Sequence, residues 1–371
     1  MPGTYVREQV ISKARHVVVK VGTNSLTDEA GRLDHAIINR LADQIAQLMA
    51  QGRAVTLVAS GAIGAGMAEM DLPARPKDMP TLQATAAVGQ GQLMRVFHDA
   101  FARHGIKVAQ VLVTRDDFED RTRYLNIRNT LYALAELKAL PILNENDAVA
   151  VDEIRFGDND IISAHVTNLL GANLLILLTN VPGVLRDGLV VDVIPQVDES
   201  ALALVARGRS KLGSGGMGSK IKAAAMVTQA GEVAVIASAR EPDILLRLLA
   251  GERLGTVFVP AQRKMSSRRR WIAQASRPAG KLFVDDGAAR AIAQGGKSLL
   301  PSGITAVAGT FPKGATVSIC TAMGKQIARG LTNYSSKQIE QIKGLKTSQI
   351  VKILGDKPYD EVIHRNNMTL V

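Results

Sequence analysis

The chain has 371 residues, 46% of them hydrophobic, with one cysteine and a formal net charge of +11. That length and apolar content provide for two domains with sizeable cores and argue against disorder. The single Cys320 excludes an internal disulfide framework and fits a reducing compartment. The opening "MPGTYVREQVISKAR" has no apolar signal segment and no stretch approaches ~18 uninterrupted apolar residues, so a cytoplasmic protein with no membrane span is expected.

The positive charge is unevenly placed. From Ala261 to Val371 there are 18 Lys or Arg against 6 Asp or Glu, so the whole excess lies in the last third. Two units with different partners are expected, the second either touching a polyanion or simply kept soluble by its charge.

In chain order, residues 16–22, 54–60, 107–114, 141–147, 174–180 and 232–238 are apolar, largely β-branched runs that read as buried strands. Between them, 35–52, 81–105, 121–139 and 160–172 place apolar residues at helical spacing, most with Gly near the carboxyl end. The alternation predicts an α/β fold, a mostly parallel sheet covered by helices on both faces, over residues 1–260. Residues 261–278, within a stretch of clustered basic charge and two prolines, are expected to be a linker. From 279 to 371 short strands, turns and one helix predict a small, mainly β domain.

Ligands of such sheets bind beyond the carboxyl ends of the strands, and the polar residues collect there. Lys20 lies inside the first strand, where a buried ammonium needs an anion, or else a position at a sheet edge. Gly22, Thr23 and Asn24 follow as a turn whose N–H groups could approach a phosphate. The second strand ends in "VASGAIGAGM", which is neither the dinucleotide fingerprint nor a nucleophile elbow, so Ser60 reads as a binding residue or a helix cap. "NENDAV" and "RFGDNDIISA" gather Asn144, Glu145, Asn146, Asp147, Asp158, Asn159 and Asp160. Asp158 or Asn159 caps a helix, and the others offer acceptors to an ammonium group, to lysines or to a metal-bound phosphate. Neither stretch has the EF-hand pattern, and six dispersed His with one Cys give no transition-metal spacing.

"GSGGMGSK", residues 213–220, has P-loop spacing but the wrong final residues and no strand before it. By itself it reads either as a solvated connection or as an anion site, with Ser219 capping the next helix and Lys220 beside its positive end.

Together, "VVVKVGTNSLT", "VASGAIGAGM", "LNENDAVAVDEIRFGDNDIISAHVTNLLGANLLILLTN" and "GSGGMGSKIKAA" resemble the amino acid kinase family, and "LTNYSSKQIEQIKG" with "YDEVIHRNN" resembles the PUA domain of RNA-modifying enzymes. The resemblance implies transfer of the γ-phosphoryl group of ATP, with Mg²⁺, to the side-chain carboxylate of glutamate, the first step of proline synthesis. It implies that Lys20 and Lys220 bind phosphate, that Asp160 orients them, and that Ser60, Asp147 and Asn159, with Gly61 in the adjoining turn, hold glutamate. ATP would meet Lys20, Gly22, Thr179, Asn180 and the loop Ser214, Gly215, Gly216, Met217, Gly218, Ser219 and Lys220. The family usually has Thr-Asp where this chain has Thr179-Asn180, which shifts the nucleotide contact without removing an acceptor. The resemblance further implies a homo-oligomer, proline as a feedback inhibitor near Asp147 and Asn159, and RNA contact through the PUA domain. An acetylglutamate kinase, or an RNA-binding protein on a kinase-like scaffold, are the alternatives.

Overall fold

The computed structural model describes residues 6–28, 31–150, 159–197, 216–261, 264–294 and 296–370. Those residues divide into two units that part between Lys264 and Met265, with Phe118–Arg121 belonging to the second.

In the first unit β1 (His16–Val21), β2 (Ala54–Ala59), β3 (Val108–Val113), β4 (Leu140–Glu145), β5 (Leu174–Thr179), and, after a hairpin and a short strand, β9 (Val233–Ser238) form where the apolar runs predict them. The hairpin joins β6 (Leu185–Arg186) to β7 (Leu189–Val190), and the short strand is β8 (Val193–Ile194). Both hairpin turn residues, Asp187 and Gly188, have positive φ, the conformation in which an Asp-Gly pair matches the twist of a two-residue turn. With β10 (Thr256–Phe258) the sheet has eight strands, ordered β3-β4-β2-β1-β5-β9-β10-β8. All its pairs are parallel except β9 with β10. β1 therefore sits in the interior, not at an edge, with Lys20 between Val58 and Leu177.

Strand alternation divides β1 by face. Val17, Val19 and Val21 join one core with Ile38, Leu41 and Ile45 of the helix His35–Ala50 and with Leu93, Phe97 and Phe101 of Met79–Ala102. Lys20 consequently faces the opposite way. Asp34 and Asp78 cap these two helices by accepting from backbone N–H groups of their first turns. The helix Met79–Ala102 meets Ala62–Glu69 at near backbone contact. A Cβ on Gly89 would stand 1.8 Å from the Ala62 carbonyl oxygen, and one on Gly66 1.9 Å from that of Thr85.

The second unit carries the sheet β12-β11-β13-β14-β15, built from β11 (Gly280–Val284), β12 (Ile304–Ala308), β13 (Thr316–Thr321), β14 (Gln326–Leu331) and β15 (Met368–Leu370). The helix Ser336–Ile342 opens with a capping box between Ser335 and Gln338. The stretch expected to be a linker is structured where it is described from Lys264 onward. Ser267–Arg270 is helical and continues as a wider turn through Ala275, with Arg270, Trp271 and Ile272 buried. Trp271 Nε1 donates to the Phe118 carbonyl at 3.0 Å, and Arg268 Nη1 to Asn367 Oδ1 at 2.8 Å. Burying the indole and the isoleucine outweighs the basic character from which solvation was expected. Among the described residues no helix is long and apolar enough to cross a membrane.

Candidate active site

A cavity of about 160 Å³ opens at the carboxyl ends of β1, β2, β4 and β5. Lys20, Gly22, Ser60, Gly61, Asp147, Asn159, Thr179, Asn180 and Lys220 all line it.

Its inner wall is a charged cluster. Asp160 is the second residue of the helix Asn159–Leu170, whose amino end favours a carboxylate, and it is fully buried. Lys20 Nζ lies 2.8 Å from Asp160 Oδ1 and Lys220 Nζ 3.1 Å from Oδ2. Lys220 is the fourth residue of the helix Met217–Gln229, so two lysines 200 positions apart meet at one carboxylate. Burial pushes the Asp160 carboxyl up, but Lys20, Lys220 and Ser219 together hold it below the usual carboxylate range. Burial also takes Lys220 below its ordinary value, with Asp160 opposing and Lys20 assisting. The three groups together are net positive, and the glycine after β1 keeps a side chain off the approach to the Lys20 ammonium, since a Cβ on Gly22 would stand 3.5 Å from Nζ.

The helix after the glycine loop corrects one expectation. Gly216, not Ser219, occupies the N-cap position with extended backbone. Ser219 lies inside the first turn, and its Oγ is 2.5 Å from Asp160 Oδ2. Starting the helix earlier is what turns both Ser219 and Lys220 toward Asp160. Gly216, Met217 and Gly218 begin this helix but do not line the cavity. Ser214 and Gly215, and Asp158 as a helix cap, fall outside the described residues.

The rest of the lining mixes polar and apolar residues, with Glu145, Asp147 and Arg75 as its charged members. Gly61 has φ +117°, a conformation that favours glycine, and it carries the chain from Ser60 into the helix Ala62–Glu69. Asn159 joins Ser60 to β4, with its Nδ2 3.1 Å from Ser60 Oγ and 2.8 Å from Asn144 Oδ1. Asp147 is half-buried, and burial raises its carboxyl to about 6, with Arg75 acting in the lowering direction. Arg75 also lines the cavity. It comes from the proline-containing stretch "DLPARPKDMP", which carries no periodicity or motif that could have singled it out. Thr179 Oγ1 donates to Asn180 Oδ1 at 3.3 Å where β5 ends. Such an arrangement can neutralise a phosphoryl group at one end and hold a small zwitterion at the other.

Comparison with known proteins identifies the family. The model of the amino acid kinase family matches residues 15–238, and that of the PUA domain matches residues 280–354. The glutamate 5-kinase of Caldanaerobacter subterraneus subsp. tengcongensis is 45% identical over 362 residues, 96% of this chain and 97% of that protein. Those of Moorella thermoacetica and Geobacter sulfurreducens are 45% and 42% identical, covering 97% and 99% of this chain and 97% and 100% of theirs. Among solved structures, a carbamate kinase from Giardia lamblia bound to AMP-PNP has the same fold, with a TM-score of 0.50 at 20% identity, covering 67% of this chain and 100% of its own. The chain belongs to the amino acid kinase family, in its glutamate 5-kinase branch with a PUA domain.

Proposed function

We propose that the chain transfers the γ-phosphoryl group of ATP to the side-chain carboxylate of glutamate, giving glutamyl 5-phosphate and ADP. The observation that carries this reading is the convergence of Lys20 and Lys220 on buried Asp160 at the strand ends. A glutamate side chain with reference pKa near ~4.3 is ionised at neutral pH, so the nucleophile needs no general base. One carboxylate oxygen bonds to the γ-phosphorus as the bond to the β,γ-bridging oxygen breaks, and ADP leaves with that electron pair.

What the reaction requires of the protein is positioning and cancellation of charge on the migrating group. Lys20 and Lys220 supply the positive charge, and Asp160 holds both ammonium groups in place. Gly22 allows phosphate oxygens to reach Lys20, and Thr179 with Asn180 offers polar contacts to the nucleotide. Ser60, backed by Asn159, meets the amino acid on one side, while Asp147 takes its ammonium group. A divalent cation, Mg²⁺ in this reading, arrives with the nucleotide and adds charge neutralisation on the phosphates. Among the described residues no three His, Cys, Asp or Glu side chains are grouped to hold a metal ion by themselves.

The experiment is to incubate protein with Mg²⁺-ATP and hydroxylamine and to trap the acyl phosphate as a hydroxamate. Product with glutamate and none with acetylglutamate supports the reading, since acetylation removes the ammonium group that Asp147 would bind. Product with acetylglutamate alone refutes it. In the same reading proline competes for the end of the cavity near Asp147 and Asn159, the chain works as a homo-oligomer in the cytoplasm, and the basic PUA unit touches RNA. RNA affinity that falls steeply with salt would support the last point.

A further inference from the structure

The polar chain beneath Ser60 has a direction, and a backbone group sets it. The Glu145 N–H can only donate, and it lies 2.9 Å from Asn144 Oδ1 and 3.2 Å from Asn159 Oδ1. Reversing either side-chain amide would bring an NH₂ group against that donor, so both amides turn their oxygen toward it. With the oxygens fixed, Asn144 Nδ2 donates to Gln90 Oε1 at 2.7 Å. The two N–H bonds of Asn159 go to Asn144 Oδ1 and Ser60 Oγ. The Asn159 side chain therefore has no donor left for a substrate. Ser60 accepts a hydrogen bond from behind, and among the described residues nothing accepts its own proton.

We infer that Gln90, which does not line the cavity, is a positioning residue that anchors the Asn144 amide in the polarity the Glu145 N–H sets, and through it Asn159, so that Ser60 presents its proton to a carboxylate of the bound amino acid. The inference rests on the glutamate reading of the cavity and specifies one of its contacts. Asn159, expected to touch glutamate directly, acts through Ser60. The zwitterion is then read in one orientation, with an O–H donor for carboxylate at Ser60 and an acceptor for ammonium at Asp147.

The placement of Gln90 follows from packing. Its neighbour Gly89 meets the Ala62 carbonyl and the Gly66 backbone so closely that no side chain fits between. That contact sets the long helix Met79–Ala102 against the turn Ser60-Gly61-Ala62, and Gln90 is the next residue along.

Gln90→Met keeps the length of the side chain and removes the acceptor, whereas Gln90→Glu keeps an acceptor. By hydroxamate assay, Gln90→Met is expected to raise the KM for glutamate about 5-fold, the size of one side-chain hydrogen bond, with kcat and the KM for ATP within about twofold of wild type. Gln90→Glu is expected to restore the KM for glutamate. In a Ser60→Ala background, Gln90→Met is expected to add nothing further, because the two residues act along one path. An unchanged KM in Gln90→Met, an equal defect in Gln90→Glu, or a full additional loss on top of Ser60→Ala overturns the inference. So does a defect spread evenly over both substrates and the melting temperature, which would mark a purely structural role. If wild type forms no acyl phosphate from glutamate, the substrate assignment falls instead, and the two failures are told apart by that control.

Discussion

Asp160→Asn tests the centre of the proposed mechanism, because it removes a charge without changing shape. The carboxylate lies 2.8 Å from one ammonium and 3.1 Å from the other. At an effective dielectric constant of ~20, each contact of that length contributes about 5–6 kcal/mol of attraction. Against this stands the cost of desolvating a carboxylate and two ammonium groups, several kcal/mol per ion, so the net value of the cluster is far below the sum. Removing the anion alone leaves both cations buried side by side. Loss of one partner from a buried ionic cluster typically destabilises by about 3–5 kcal/mol, and that is the expected fall in unfolding free energy. The amide cannot hold both lysines, since its NH₂ group repels one of them. kcat for hydroxamate formation is expected to drop by about 100-fold or more, in line with ~2.7–4 kcal/mol for one positioned electrostatic group. The assay pairs urea denaturation with kcat measured at saturating ATP and glutamate. If Asp160→Asn unfolds at the wild-type midpoint and turns over within threefold of wild type, the two lysines do not depend on Asp160 and the argument is refuted.

Lys220→Ala leaves Asp160 paired with Lys20, so stability should change less than in Asp160→Asn, while kcat should fall by about 100-fold or more with little change in glutamate affinity. An effect confined to glutamate binding in titration calorimetry would contradict a role in the transition state. The Asp147 carboxyl, raised to about 6, is ionised above that pH and protonates as pH falls through it, losing its attraction for an ammonium group. The KM for glutamate is therefore expected to rise about tenfold between pH 7.5 and pH 5, and in Asp147→Asn to be high and flat over the same range; a sloping profile in that variant would assign the titration elsewhere. Gly89→Ala would set a methyl 1.8 Å from the Ala62 carbonyl oxygen and force the backbone to move. It should cost about 1–3 kcal/mol in thermal or chemical denaturation, and a neutral result would show that the two helices are free to separate.

The residues themselves made much of the architecture legible. Six strands form where the runs predict them, and five are buried, because a strand buried on both faces must be apolar throughout; β3 instead lies at the sheet edge with only Val113 buried. Lys20 announced itself for the same reason, as a cation interrupting such a run. The end of the basic stretch folds although its composition suits a linker, because charge density is averaged over a segment, whereas burial is decided side chain by side chain. Arg268 and Arg269 stay exposed while Arg270, Trp271 and Ile272 turn inward.

Tertiary structure alone decided what the polar residues do together. Nothing in the spacing of Lys20, Asp160 and Lys220 requires them to meet; strand order does, by bringing the ends of β1, β2, β4 and β5 to one side of the sheet, where two helices begin. Arg75 and Gln90 carried no local signal, since a single polar residue in a loop or on a half-exposed helix face is the commonest thing a sequence contains. Local patterns are set by the solvent each residue meets, and so can be read one element at a time. The direction of a hydrogen bond, or the sharing of one carboxylate by two lysines, depends on groups far apart in the chain and exists only once the elements have packed.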